Sequence, residues 1–227
     1  MLKLYIGSKN YSSWSMRPWV LLTQAGIAFE EVLLPFDDLQ EGSPFKRAIA
    51  AVSPTAKVTA LVDGSTVVWD SLAIAEYLAE QYPAQQLWPT DAAARAQARS
   101  ICAEMHGGFS GLRNYCGMNI EARLPEMGAV VLRDQASVRA DLARIVAMWS
   151  ELLAHHGGPM LFGTFSIADA YYAPVCTRIQ TYALPVPPHI AAYVERVLQL
   201  PAVQAWTQAA LAEQRFVAVD EPYRASR

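Results

Sequence analysis

Cysteine is nearly absent from this chain, and the three present, Cys102, Cys116 and Cys176, form an odd, widely spaced set. That excludes a closed disulfide framework and fits a reducing compartment, with each thiol a small buried hydrophobe. Charge is scarce too: only 17% of residues are Asp, Glu, Lys or Arg, with a formal net charge of -3. No basic run or RNA-binding motif stands out, so nucleic acid is not an expected partner. No apolar stretch approaches the roughly 20 residues that span a bilayer, so no membrane association is expected. The first residues carry Lys3 and Lys9 and lack a signal peptide's apolar core, so a soluble cytoplasmic protein is expected. Histidine is rare as well. His155 and His156 are adjacent, point in different directions on a helix, and have no Cys or acidic cluster to complete a metal site. No metal is expected.

What is present is apolar: 53% hydrophobic residues over 227 positions, enough for a substantial core in one large domain or two small ones. The first eighty residues mix strand and helix patterns. Strands are predicted at Leu2–Ile6 and Phe29–Leu34, with a helix at Met16–Ala25 ending at Gly26 and a short one at Phe45–Ala51. Ala60–Val62 and Thr66–Val68 flank Asp63-Gly64, a hairpin turn, and Asp70–Gln81 has helical spacing. This βαβ-α-ββ-α order is thioredoxin-like. Pro83 to Pro89 breaks the regularity, and strand patterns then vanish. A stripe through Val138, Leu142, Ile145, Trp149 and Leu152 marks a helix closed by His155-His156-Gly157-Gly158-Pro159. Further helices are predicted over Ser166–Tyr182, Ile190–Leu198 and Ala202–Gln214. The expected architecture is an α/β thioredoxin-like domain (1–82), a linker (83–90) and an all-helical domain (91–227).

The most chemically suggestive segment is Ser12-Ser13-Trp14-Ser15-Met16-Arg17-Pro18, where the first strand leads into a helix. Pro18 suits a first helical turn. The serines are thereby placed near a helix N-terminus, where free N–H groups and the helix dipole stabilise an anion. A hydroxyl held there can hydrogen-bond a thiolate, phosphate or carboxylate; it can also simply cap the helix.

Ser12-Ser13-Trp14-Ser15-Met16-Arg17 resembles the Ser-Ser-Cys-Ser-x-Arg motif of zeta-class glutathione S-transferases, and more broadly the bacterial serine-type transferases. Lys57 to Gly64 with Trp69 to Leu78, and Gly163 to Asp169, resemble further family segments in the same order. The resemblance implies a homodimer with glutathione as co-substrate, and it implies residue roles. Ser12 takes the place of the catalytic serine, with Ser13 or Ser15 as fallback. Ser13, Trp14, Lys57, Val58, Asp70 and Ser71 are the implied glutathione contacts. Asp70 offers an acceptor for the ligand's ammonium and Ser71 a donor for its carboxylate; Asp70 is equally suited to capping the following helix. The implied reaction is conjugation to a small electrophile. The alternatives are a maleylacetoacetate-type cis–trans isomerase, with Arg17, Arg113 and Arg178 for two carboxylates, and a non-catalytic ligand-binding protein.

His106, Phe109, Ser110 and Arg113 are predicted to share one helical face. Trp14, His106, Phe109 and Arg113, together with Arg178, are the expected lining of a second-substrate pocket; the competing expectations are packing for the face and an ordinary solvated arginine for Arg178. Glycines 107, 108 and 111 suggest a close backbone approach or an open pocket there. Ser166-Ile167-Ala168-Asp169 reads as a structural capping box. Two departures from the family pattern stand out: Trp14 in place of Cys, and Thr59 where the family has a cis-proline after the valine. On the cost of a non-proline cis bond, a trans Val58–Thr59 peptide is expected.

Overall fold

The computed structural model describes residues 1–37 and 39–227. Alternate residues of β1 (Leu2–Ile6) are buried, and the strand lies inside a four-stranded sheet of order β2-β1-β3-β4. β2 (Phe29–Leu33) pairs with β1 in parallel, Leu2 opposite Phe29. β3 (Ala60–Asp63) is antiparallel to β1, Leu4 opposite Leu61. β4 (Thr66–Trp69) closes the hairpin turned by Asp63-Gly64, with Gly64 at φ 57°.

The parallel pair requires a crossover, which α1 (Ser13–Gln24) supplies. This helix begins three residues before the predicted Met16, so Pro18 sits inside it and not in its first turn. Ser12 is therefore the N-cap residue, and its side chain makes no capping hydrogen bond. α2 (Pro44–Ala50) and α3 (Ser71–Gln81) complete this half.

The rest is helical: α4 (Ala92–Gly107), α5 (Ser110–Tyr115), α6 (Pro125–Asp134), α7 (Ala136–His156), α8 (Ile167–Thr181), α9 (Pro188–Leu198) and α10 (Pro201–Ala212). Nearly every residue of α8 is buried, including the polar Asp169, Thr177 and Arg178. It packs against α1, α4 and α9, and so joins the two halves in one core with Met16, Val20, Tyr172 and Trp149. Ser166 and Asp169 form the expected capping box at its start. Among the described residues, no helix is long and apolar enough to cross a membrane, and no group of three His, Cys, Asp or Glu could hold a metal ion. All three cysteines are buried.

Residues 106–113 do not form one continuous helical face. The chain breaks between α4 and α5, with Phe109 left-handed at φ 52°. Gly111 has its reason in packing: a Cβ there would lie 2.8 Å from the Ser137 backbone.

Candidate functional site

The loop between β1 and α1 carries the serines and is anchored from both halves. Asn10 donates its side-chain amide to Asn119 and accepts the Glu121 N–H; its carbonyl accepts the Ile120 N–H. The Trp206 indole donates to the Lys9 carbonyl, and the Lys9 N–H donates to Glu213. The Tyr11 hydroxyl donates to Glu221 at 2.7 Å, fastening the C-terminal tail against the same loop. A segment tied at this many points presents its side chains in fixed positions.

Within it, Ser15 is fully buried, with three donors around its Oγ: the Gly7 N–H (3.1 Å), the Thr59 hydroxyl (3.1 Å) and the Ser12 hydroxyl (2.7 Å). A hydroxyl oxygen has two lone pairs, so it serves two of these three at a time, and Ser15 lines neither of the cavities beside this loop. That corrects its standing as a fallback for thiol contact: it braces Ser12 and Thr59. The Val58–Thr59 peptide is cis, correcting the trans expectation. Thr59 is buried and its hydroxyl is committed to Ser15, so tertiary contacts decide the conformation here.

Two cavities open beside this loop. The first, about 450 Å³, is lined by Trp14, Lys57, Val58, Asp70, Ser71, His106 and Arg113, among others. The second, about 330 Å³, is lined by Ser12, Ser13, Trp14, Val58, Arg113 and Arg178 together with Tyr11, Phe36, Met118 and Asp220, among others. Trp14, Val58 and Arg113 belong to both, so the two spaces adjoin. None of the three cysteines lines either cavity.

Asp70 stands at the N-terminus of α3 in a left-handed conformation, φ 78°. One carboxylate oxygen accepts the Leu72 and Ala73 N–H groups; the other lies 3.1 Å from His106 Nε2. Capping and a ligand contact are thus compatible, because the side chain remains 43% exposed. Ser71 pairs with the Tyr171 hydroxyl at 3.0 Å.

Trp14 is held between two guanidinium groups, Arg17 at 4.2 Å and Arg113 at 4.7 Å from its ring, with His106 edge-on at 5.1 Å. Arg17 is buried between Trp14 and Tyr171, and its Nε and Nη1 find no hydrogen-bond partner. Burial pushes its pKa down, with Arg113 adding repulsion. Arg178 is fully buried, donating to the Cys116 and Pro174 carbonyls, so the solvated-arginine expectation is corrected. Burial pushes it down to about 9, with Arg17 and Arg113 contributing. Among the described residues none of these three arginines forms an ion pair.

Two of the expected second-substrate residues lie elsewhere. Phe109 is buried in the core and lines neither cavity, because the break before α5 turns it inward. His106 lines the first cavity beside Asp70, not the second. Sequence reasoning missed Tyr171 and Asp220. Neither has a local pattern to announce it: Tyr171 reaches the site from α8, and Asp220 from the C-terminal tail. One carboxylate oxygen of Asp220 is buried without a partner, and burial raises its pKa.

The model of the glutathione S-transferase N-terminal domain matches residues 11–81, and that of the C-terminal domain residues 92–209. Glutathione S-transferase Z1 of Arabidopsis thaliana is 31% identical over 89% of this chain and 90% of its own length. Maleylacetoacetate isomerase of Mus musculus is 34% identical over 49% of this chain and 50% of its own. Among solved structures, a glutathione transferase homologue from Burkholderia GL BGR1 with bound glutathione superposes with a TM-score of 0.68 at 26% identity, covering 93% of this chain and 98% of that one. A zeta-class bacterial maleyl pyruvate isomerase superposes with a TM-score of 0.69 at 26% identity, covering 92% of this chain and 97% of that one.

Proposed function

Because the chain belongs to the glutathione S-transferase family, we propose that it joins the glutathione thiolate to a small electrophile, with Ser12 activating the sulfur. The observation that carries this reading is the pair of adjoining cavities. The first offers Asp70 and Ser71 for the γ-glutamyl ammonium and carboxylate; the second offers Ser12 at the uncapped start of α1. Glutathione laid along Val58 in the first cavity delivers its sulfur to the second. There the helix N-terminus and the Ser12 hydroxyl favour thiolate over thiol, whose ordinary pKa is about 8.5. The thiolate attacks the electrophilic carbon, a C–S bond forms, and the leaving group departs with its electron pair. Alignment of the two reactants supplies the rest of the acceleration.

Within the proposal, residues 1–82 bind glutathione, 83–90 connect, and 91–227 bind the second substrate. Ser13, Trp14, Lys57 and Val58 complete the glutathione contacts, while Trp14, Arg113 and Arg178 flank the electrophile. The protein acts as a cytoplasmic homodimer in detoxification.

Arg113 and Arg178 favour one second reading, whereas Arg17, expected beside them, is buried between Trp14 and Tyr171 and lines neither cavity. Two cavity-lining cations that, among the described residues, have no carboxylate partner suit a substrate with two carboxylates, as in maleylacetoacetate-type cis–trans isomerisation with glutathione used catalytically. Paired assays with a generic aryl halide and with maleylacetone discriminate: turnover of the halide alone supports conjugation, turnover of maleylacetone alone supports isomerisation. Inactivity toward both, with glutathione bound, supports the non-catalytic alternative.

Asp70 is expected to act on affinity, being remote from the sulfur. Asp70→Asn keeps an oxygen for the helix cap and a residue type that tolerates the left-handed backbone, but loses the charge. Glutathione should bind about tenfold more weakly, as loss of a charge-assisted hydrogen bond of about 1.5 kcal/mol implies, with turnover at saturation nearly unchanged. Calorimetry giving equal affinity in variant and parent refutes the contact.

A further inference from the structure

Both ends of one hydrogen-bonded chain line the first cavity. His106 Nε2 lies 3.1 Å from Asp70, its Nδ1 lies 2.8 Å from the Tyr171 hydroxyl, and that hydroxyl lies 3.0 Å from Ser71 Oγ. Tyr171 is 1% exposed and lines neither cavity. Its hydroxyl reaches the cavity through His106 and Ser71.

With all three hydrogen bonds kept, proton counting leaves this chain two arrangements. The Asp70 carboxylate is an acceptor, so His106 Nε2 carries a hydrogen in both. When His106 is neutral, Nδ1 is a bare acceptor and takes the Tyr171 hydroxyl proton. Tyr171 oxygen then accepts from Ser71, whose single proton is spent inside the protein. When His106 is protonated, Nδ1–H donates to Tyr171, Tyr171 donates to Ser71 Oγ, and the Ser71 proton turns to the cavity. Tyr171 stays a neutral phenol throughout, since burial raises its pKa. One proton enters at Nδ1 and two hydroxyls reverse; no bond is broken in the ligand.

We infer that His106, acting through Tyr171, sets the direction of the Ser71 hydroxyl, so that binding a carboxylate at Ser71 takes up a proton. Tyr171 is the positioning residue. This rests on the reading of the first cavity as a glutathione site.

The groups around His106 are Asp70 from the turn before α3, Tyr171 from α8, the Trp14 ring from α1, and Arg113 from α5, which donates to the His106 carbonyl. Arg17 lies over the Tyr171 ring, and Lys57 lines the same cavity. On α4 itself, Glu104 is engaged with Arg144. Of the side-chain types in this set, only histidine ordinarily changes charge between about pH 5 and 8. The sign follows: a bound carboxylate favours protonated His106, so affinity is highest at the acid end of that range and falls toward the alkaline end.

The test is titration calorimetry with S-methylglutathione, which has no thiol to ionise, in buffers of different ionisation heat between about pH 5 and 8. The parent protein should take up about half a proton at intermediate pH and bind about tenfold more tightly at the acid end, the change expected for a one-unit coupling. Tyr171→Phe leaves the Ser71 proton permanently free. Its uptake should vanish, and near pH 8 it should bind more tightly than the parent. Ser71→Ala should also lose the uptake but bind at the parent's weak alkaline level. A packing role for Tyr171 would lower affinity with the proton count intact, and that outcome overturns the proposal. So does binding by the parent without uptake, which leaves the glutathione site standing. No binding by the parent at any pH overturns both.

Discussion

Replacing Ser12 by Ala is expected to lower turnover with glutathione and an aryl halide by about 10²-fold, the scale seen when one oriented donor to a developing anion is removed. Glutathione affinity should change far less, because the contact strengthens only as sulfur becomes charged. The Ser12 hydroxyl donates to Ser15 Oγ at 2.7 Å. Ser15 offers two lone pairs to three donors, the other two being the Gly7 N–H and the Thr59 hydroxyl. Ser12 is the surplus donor. Once a thiolate arrives, its proton can turn to sulfur while the Ser15 hydroxyl donates back to Ser12 Oγ. The same arrangement predicts that Ser15→Ala damages the loop, through an unpaired Gly7 N–H and Thr59 hydroxyl, with lost stability accompanying lost activity. Ser13→Ala should weaken glutathione binding while leaving turnover at saturation nearly unchanged. Full turnover in Ser12→Ala with loss in Ser13→Ala would move thiol activation to Ser13 and sink the Ser12 assignment.

The two ends of this site differ in how far the sequence reveals them. The β1 alternation, the serines before a helix, the Asp63-Gly64 turn and the Ser166–Asp169 box are local patterns, and each produces the element it predicts. Helix ends are less legible: α1 starts at Ser13, with Ser13, Ser15, Met16 and Arg17 buried and the helix packed on α8, tertiary contacts that the residue preferences around Pro18 do not encode. The break at Gly108-Phe109 follows from glycines that a helical wheel counts as ordinary positions; continuing the helix would spread His106 and Arg113 along one face, whereas the break lets Phe109 fill the core. Arg178 looks like a solvated residue in sequence, and only the fold shows it buried, as it does Arg17. Tyr171 and Asp220 are invisible for a plainer reason. They meet the site across long separations, 65 residues from His106 to Tyr171 and 100 from Ser71 to Tyr171, where no periodicity reaches.

The largest expected effect on stability belongs to Asp169, which is fully buried at the start of the helix that joins both halves. One carboxylate oxygen accepts the Leu161 N–H at 3.1 Å and the Tyr193 hydroxyl at 3.0 Å; the other accepts the Ser166 N–H at 3.0 Å. Asp169→Ala leaves these donors buried and unpaired. At roughly 1–3 kcal/mol for each such group, and less than additive within one network, the loss should be about 4 kcal/mol. The pH dependence has a definite sign. Burial raises this carboxyl from 3.8 to about 6, with the hydrogen bonds only partly opposing it. The folded protein thus holds the proton more tightly than the unfolded chain, and this contribution is fully present below about pH 4. It is lost as pH rises through about 6. The stability gap between parent and Asp169→Ala should therefore be wider near pH 4.5 than near pH 7.5, where the parent must keep a charged carboxylate buried. Comparing the two proteins at each pH cancels the titration of carboxyls common to both, including Asp220 and Glu213, whose pKa values burial also raises. Denaturation midpoints that move in parallel with pH, leaving the gap constant, would show that Asp169 does not titrate between its folded and unfolded states in this range.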